Sequence, residues 1–135
     1  MLFRLAASAV LALSLTHGVR ADPASPTGKW LAEDIDGGGV IDRLQTTLEL
    51  KADGLVTGTG GCNRYAGSAN IDGDTITFRP MASTRMACSA AAMNQEYKFH
   101  RALENVRAWR VDQPRRKLLL LDKSGFDLMR FSKMD

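Results

Sequence analysis

The chain has 135 residues, 18 Lys and Arg against 15 Asp and Glu, and two Cys. That length holds one domain with one modest core, and a formal net charge of +3 is too small to argue for nucleic acid as a partner. Arg115-Arg116-Lys117 is the only dense basic run; it follows Pro114 between two strand-like segments and reads as a solvated turn.

The first residues have the three-part pattern of a secretory signal peptide, expected over 1–21. Arg4 supplies the positive charge, Leu5 to Leu15 is an uncharged, mostly apolar run, and Val19-Arg20-Ala21 places small residues at a cleavage spacing. A spanning helix needs roughly 20 apolar residues, so no retained membrane span is expected. No Cys follows the apolar run to take a lipoprotein-type acylation. Cleavage near Ala21 leaves 16 basic against 15 acidic residues, so much of the basic character belongs to the leader. The expected destination is the periplasm or the exterior.

Residues 22–28 (DPASPTG) read as a flexible lead-in to a domain over 29–132. From there the dominant period is two. Trp30, Ala32 and Ile35 suggest a first strand, followed by a loose Asp36-Gly37-Gly38-Gly39 loop. Thr46 to Ala52 alternates, with Leu48 and Leu50 on one face. Asp53-Gly54 turns it into Leu55–Thr59, and an Asp-Gly pair between alternating runs is a strong hairpin signal. The device recurs at Asp72-Gly73, between Gly67–Ile71 and Thr75–Arg79, and at Lys123-Ser124-Gly125, between Leu118–Asp122 and Phe126–Phe131. Ala108–Asp112 adds a further strand. Short connections make the sheet antiparallel.

Ala90–Arg107 breaks this rhythm. It lacks Gly and Pro, Ser89 can cap its start, and Ala92, Phe99, Leu103 and Val106 share one face at helical spacing. The fold class is therefore α+β: a small open antiparallel β-barrel of about seven or eight strands with one α-helix over about 90–107.

Cys62 and Cys88 both follow the leader. In an oxidising compartment such a pair tends to form a disulfide, closing a loop worth about 3.5 kcal/mol in the chain-entropy model. Two buried thiols, a metal pair and a reactive nucleophile are the rivals, although two cysteines alone make a poor zinc site and no metal is expected.

The segment Gly60-Gly61-Cys62-Asn63-Arg64-Tyr65-Ala66-Gly67, then Met81-Ala82-Ser83-Thr84-Arg85-Met86-Ala87-Cys88, then Met93-Asn94-Gln95-Glu96 with Phe99 beyond, resembles the META/HslJ family in order and spacing. Gly28-Lys29-Trp30 is similar to the family's opening and the Leu118–Phe131 region to its closing hairpin, so the resemblance spans Gly28 to Phe131. It implies a small, partly opened β-barrel with one helix, export, and roles in envelope stress, antibiotic tolerance or parasite virulence. It implies no catalytic residues and no cofactor.

Three expectations follow for individual residues. On the helical wheel Glu96 lies about 60° from Phe99, near the buried face, where an unpartnered carboxylate costs several kcal/mol. A structural polar cluster of Asn63, Arg85 and Glu96 is expected, with Arg85 as the counter-charge pinning the Gly60–Asn63 loop to the helix. Trp30, Tyr65, Phe78, Trp109 and Phe126 are candidates for lining a cavity in the barrel mouth, each also a candidate for the core. Finally, Cys88 and His100 could form a nucleophile–base pair, but His100 falls toward the rim of the helix and no third orienting group is evident. Asp72-Gly73-Asp74 lacks the later ligands of a calcium loop.

The expected function is that of an exported, non-enzymatic module for envelope stress or maintenance that binds an apolar ligand or an envelope protein. A small secreted enzyme using Cys88 and His100, and an interaction module acting through a sheet edge, are the alternatives.

Overall fold

The computed structural model describes residues 6–14 and 24–135. Residues 6–14 are exposed and carry no helix or strand. The rest of the expected leader, including Arg4, Leu5, Leu15 and Val19-Arg20-Ala21, and the start of the lead-in, Asp22-Pro23, lie outside the described residues. Among the described residues no helix is long and apolar enough to cross a membrane.

Strands β1 (Gly28–Ile35), β2 (Thr47–Leu50), β3 (Leu55–Thr59), β4 (Arg64–Asp72), β5 (Thr75–Phe78) and β6 (Ala82–Ser83) precede the helix α1 (Ala90–Asn105). Strands β7 (Ala108–Asp112), β8 (Lys117–Leu121) and β9 (Asp127–Lys133) follow it. The ladder runs β3-β2-β1-β9-β8-β7-β5-β4, and β3 pairs β4, so eight antiparallel strands form a ring. Among the described residues the sheet has nine strands; the one beyond the sequence expectation is β6. This two-residue strand in the Met81–Cys88 segment pairs Tyr65 with Ser83 and Ala66 with Ala82. It is too short to show a period, which is why alternation does not reveal it. The opening expected in the sheet is reduced to the β5–β7 junction, where Thr75 and Ala108 are the registered pair.

Local sequence explains the strands. The turn at Asp53-Gly54 needs glycine: Gly54 has φ +89°, and a Cβ there would come within 2.6 Å of the Ala69 carbonyl. Trp30 and Ala32 point inward with period two, but Ile35, three residues on, is also buried. A register shift between Ala32 and Asp34 against β9 makes this work, because a bulge moves the next side chain to the other face.

Helix α1 starts where Ser89 Oγ accepts a hydrogen bond from Ala92 N at 3.2 Å. It buries Ala92, Gln95, Glu96, Phe99, Ala102 and Leu103 and ends at the buried Val106. That face closes the ring against Trp30, Ile35, Leu48, Leu50, Val56, Tyr65, Ile76, Phe78, Leu118, Leu120, Met129 and Phe131, which fill the interior as one cluster. Burying a side chain such as Phe99 is worth about 1.5–3 kcal/mol.

Candidate functional site

Strand β3 passes to β4 through Gly60–Asn63, a turn closed by Gly60 N donating to Asn63 O at 2.9 Å. Helix α1 lies directly against this turn. A Cβ on Gly60 would stand 2.8 Å from both Cγ and Oε1 of Glu96, so only glycine leaves room for the carboxylate.

Glu96 is buried, and both of its carboxylate oxygens accept hydrogen bonds. Its Oε1 accepts from Asn63 N at 2.6 Å and Cys62 N at 3.2 Å, and its Oε2 accepts from Asn63 Nδ2 at 2.8 Å. Burial pushes its pKa up. The hydrogen bonds from the Asn63 side chain and from the Asn63 and Cys62 amides outweigh that and hold the carboxyl below the usual carboxylate range. The glutamate is therefore an ionised anchor for two backbone donors that would otherwise be orphaned.

Asn63, also buried, extends the anchor to the strap over 79–89, which is exposed apart from the half-buried Met81. Its Oδ1 accepts from Met86 N at 2.6 Å and from Thr84 Oγ1 at 3.0 Å, and its Nδ2 donates to Met86 O at 3.3 Å. Cys62 and Cys88 are joined by a disulfide, with Cα atoms 6.0 Å apart. One covalent bond and one buried amide thus fasten the same strap to the same turn, and a disulfide of this kind suggests an oxidising compartment.

A second polar chain runs from the neighbouring helix residue. Gln95 Oε1 accepts from Ile41 N at 2.8 Å, Gln95 Nε2 donates to Thr46 Oγ1 at 3.0 Å, and Thr46 Oγ1 donates to Gly60 O at 2.9 Å. Together Gln95 and Glu96 tie α1 to the β1–β2 loop, to the start of β2 and to the β3–β4 turn.

The structure brings Asn63 and Glu96 together and leaves Arg85 out. Arg85 is exposed and forms no hydrogen bond or ion pair with Glu96. This corrects the expected counter-charge: the tight turn delivers amide N–H groups to the carboxylate, and the strap docks through Thr84 and Met86 on either side of Arg85. Gln95, Thr46 and Thr84 are contributors that the sequence reading missed. Gln95 was findable, since it lies four residues before Phe99 on the buried face; Thr46 and Thr84 carry no local signal.

The five aromatic candidates do not line a common cavity. Trp30, Tyr65 and Phe78 are core residues. Trp30 Nε1 donates to Pro26 O at 2.8 Å, with the Lys133 ammonium 4.7 Å from its ring. Tyr65 OH donates to Thr47 O at 2.6 Å, and burial holds the phenol far above its ordinary pKa. Trp109 is half-buried at the margin, where Nε1 donates to Gly73 O at 2.8 Å. Phe126, 71% exposed, stands at the β8–β9 turn.

The imagined Cys88–His100 pair has no thiol, because the Cys88 sulfur is in the disulfide. The His100 ring packs edge-on against Tyr65, with centroids 5.3 Å apart, and its Nε2 is buried without a hydrogen-bond partner among the described residues. Burial lowers its pKa more than Glu96 and Glu104 raise it, which favours the neutral ring. Among the described residues no group of three or more His, Cys, Asp and Glu is placed to hold a metal.

Residues 24–135 match the family model described as "META domain". Two solved structures share the fold. One, an NMR structure of a protein from Burkholderia xenovorans, is 20% identical, with 86% of this chain and 96% of that chain covered at a TM-score of 0.63. Another NMR structure is 18% identical, covering 78% of this chain and 88% of that chain at a TM-score of 0.58. No curated protein matches the chain.

Proposed function

The chain belongs to the META domain family, and from that premise we propose that it is an exported, non-enzymatic META/HslJ-like protein, a stress or maintenance module of the cell envelope that works by engaging a partner protein with its outer surface. The observation that carries this reading is the filled interior. The side chains that a ligand-holding barrel would spread around a cavity are packed against one another, with Leu48, Val56, Ile76, Phe99, Leu118, Leu120, Met129 and Phe131 at 0% exposure. A ring closed on its own core leaves the exterior for recognition.

The polar anchor supports a binding role over catalysis. Glu96 accepts three hydrogen bonds from the turn and the Cys88 sulfur is oxidised, so each performs a structural task. Export is supported by the leader pattern and by the disulfide, which suggests an oxidising compartment.

Expressing the whole chain in a Gram-negative host, fractionating the cells and measuring native and intact masses tests the reading. The expected product is periplasmic, starts after Ala21, has no titratable thiol and carries no adduct. A stoichiometric lipid or other amphiphile retained in the native mass overturns the partner-protein reading, and an uncleaved cytoplasmic product overturns export.

A further inference from the structure

Among the described residues the ring leaves the outer side of β5 beyond Ile76, and of β6, without a strand partner. Arg79 N donates to Ser68 O on β4, whereas Ile76 N donates to Arg107 O on the opposite side of β5. Strand alternation therefore turns the N–H and C=O of Phe78 away from β4, toward the side that Ile76 faces. Among the described residues no strand takes them up. β5 and β7 are in register only at Thr75 and Ala108, and where the ladder would continue toward Phe78 the chain is instead the end of α1. Beyond Phe78, β6 prolongs the same edge of β4, because β3 occupies the other side. Pro80, lacking an N–H, interrupts the edge without covering it.

Helix α1 runs alongside this edge, and a groove of about 380 Å³ separates the two. Phe78 and Leu103, both buried, form its apolar floor, with Met81 and His100 along it and the exposed Arg79 and Glu104 at its lips.

We propose that this groove between the open β5–β6 edge and α1 binds an extended segment of a partner polypeptide by strand addition. The main-chain groups of Phe78, which no strand among the described residues pairs on this side, select the occupant, since a regular N–H and C=O pair on a strand edge is complemented best by another backbone. Side-chain specificity follows from the walls. An apolar residue of the incoming strand sits over Phe78 and Leu103, an acidic residue faces Arg79 and a basic residue faces Glu104. The proposal rests on the reading of this chain as a partner-binding protein and assigns the surface.

The test titrates the isotopically labelled exported protein with blocked octapeptides that alternate Thr with Leu, Val or Phe and carry Asp at one end and Lys at the other. Expected are amide shift changes confined to Phe78–Ser83 and His100–Glu104, with slowed hydrogen exchange at Phe78. Methylating alternate backbone nitrogens of the best peptide removes its ladder donors and should weaken it about tenfold or more. Glu104→Lys, at an exposed position, should weaken the Lys-ended peptide and strengthen one in which that Lys is replaced by Glu. Equal binding of the N-methylated peptide, or no shift with any peptide at millimolar concentration, overturns the proposal. Shifts on another face also overturn this site but leave the partner-binding reading standing; a retained amphiphile in the native mass sinks that reading separately.

Discussion

Replacing Glu96 tests the anchor most directly. Glu96→Ala leaves the amides of Asn63 and Cys62 and the Asn63 Nδ2 without their acceptors. An orphaned buried donor costs about 1–3 kcal/mol, and hydrogen bonds to charged groups are worth about 1.5–3 kcal/mol each. The losses are not additive, because the turn can relax and water can enter, so about 4 kcal/mol is expected. That is a large part of the 5–15 kcal/mol typical of a domain and corresponds to a fall in Tm of about 15–20 °C. The assay is thermal and urea unfolding followed by circular dichroism with the disulfide intact, beside Glu96→Gln and Arg85→Ala. Glu96→Gln turns an acceptor into a donor facing the Asn63 amide and should also destabilise. Arg85→Ala should stay within about 0.5 kcal/mol, as exposed sites do. The pH dependence gives an independent reading. The folded pKa of Glu96 lies below its ordinary value, so its stabilisation is complete above the ordinary carboxylate pKa of about 4.3 and is lost as pH falls through the folded pKa. Glu96→Gln should flatten that acid limb. A loss below about 1 kcal/mol for Glu96→Ala, or a larger loss for Arg85→Ala, would refute the reasoning.

Further outcomes follow from the same geometry. Reducing the disulfide, or making the Cys62→Ser/Cys88→Ser double variant, should cost about 3.5 kcal/mol, read by urea unfolding, with faster amide exchange in the 79–89 strap than in β8 and β9. Gly60→Ala should cost about 1–3 kcal/mol by overpacking, since its Cβ would sit 2.8 Å from Glu96 Oε1; a neutral Tm shift would show that the turn can yield. Phe99→Ala, at a position with 0% exposure, should cost about 3–5 kcal/mol, whereas Phe126→Ser at the solvent-facing turn should leave the unfolding midpoint unchanged.

Much of the fold is legible in single residues. The Asp-Gly pairs at 53–54 and 72–73 mark hairpins because a residue at positive φ strongly favours glycine, and Gly54 and Gly73 have φ of 89° and 58°. Ser89 and the Ala92–Phe99–Leu103 spacing mark the helix because capping and 3.6-residue periodicity are local properties. The site is only half legible. Glu96 stands out because a carboxylate near a buried face must find a partner, but its position on the helix does not identify that partner.

The sequence by itself determined the period-two strands, the late helix, the two cysteines and the charged residue on the helix's inner face, since each depends on neighbours a few positions apart. Only the tertiary structure decided that the ring closes through β3 and β4, that Asn63 and the Cys62–Asn63 amides rather than Arg85 satisfy Glu96, and that no strand among the described residues pairs the outer side of Phe78. The physical reason is reach. Glu96 is 33 residues from Asn63, and among donors so distant in the chain, packing alone selects those whose geometry and burial satisfy the carboxylate at least cost.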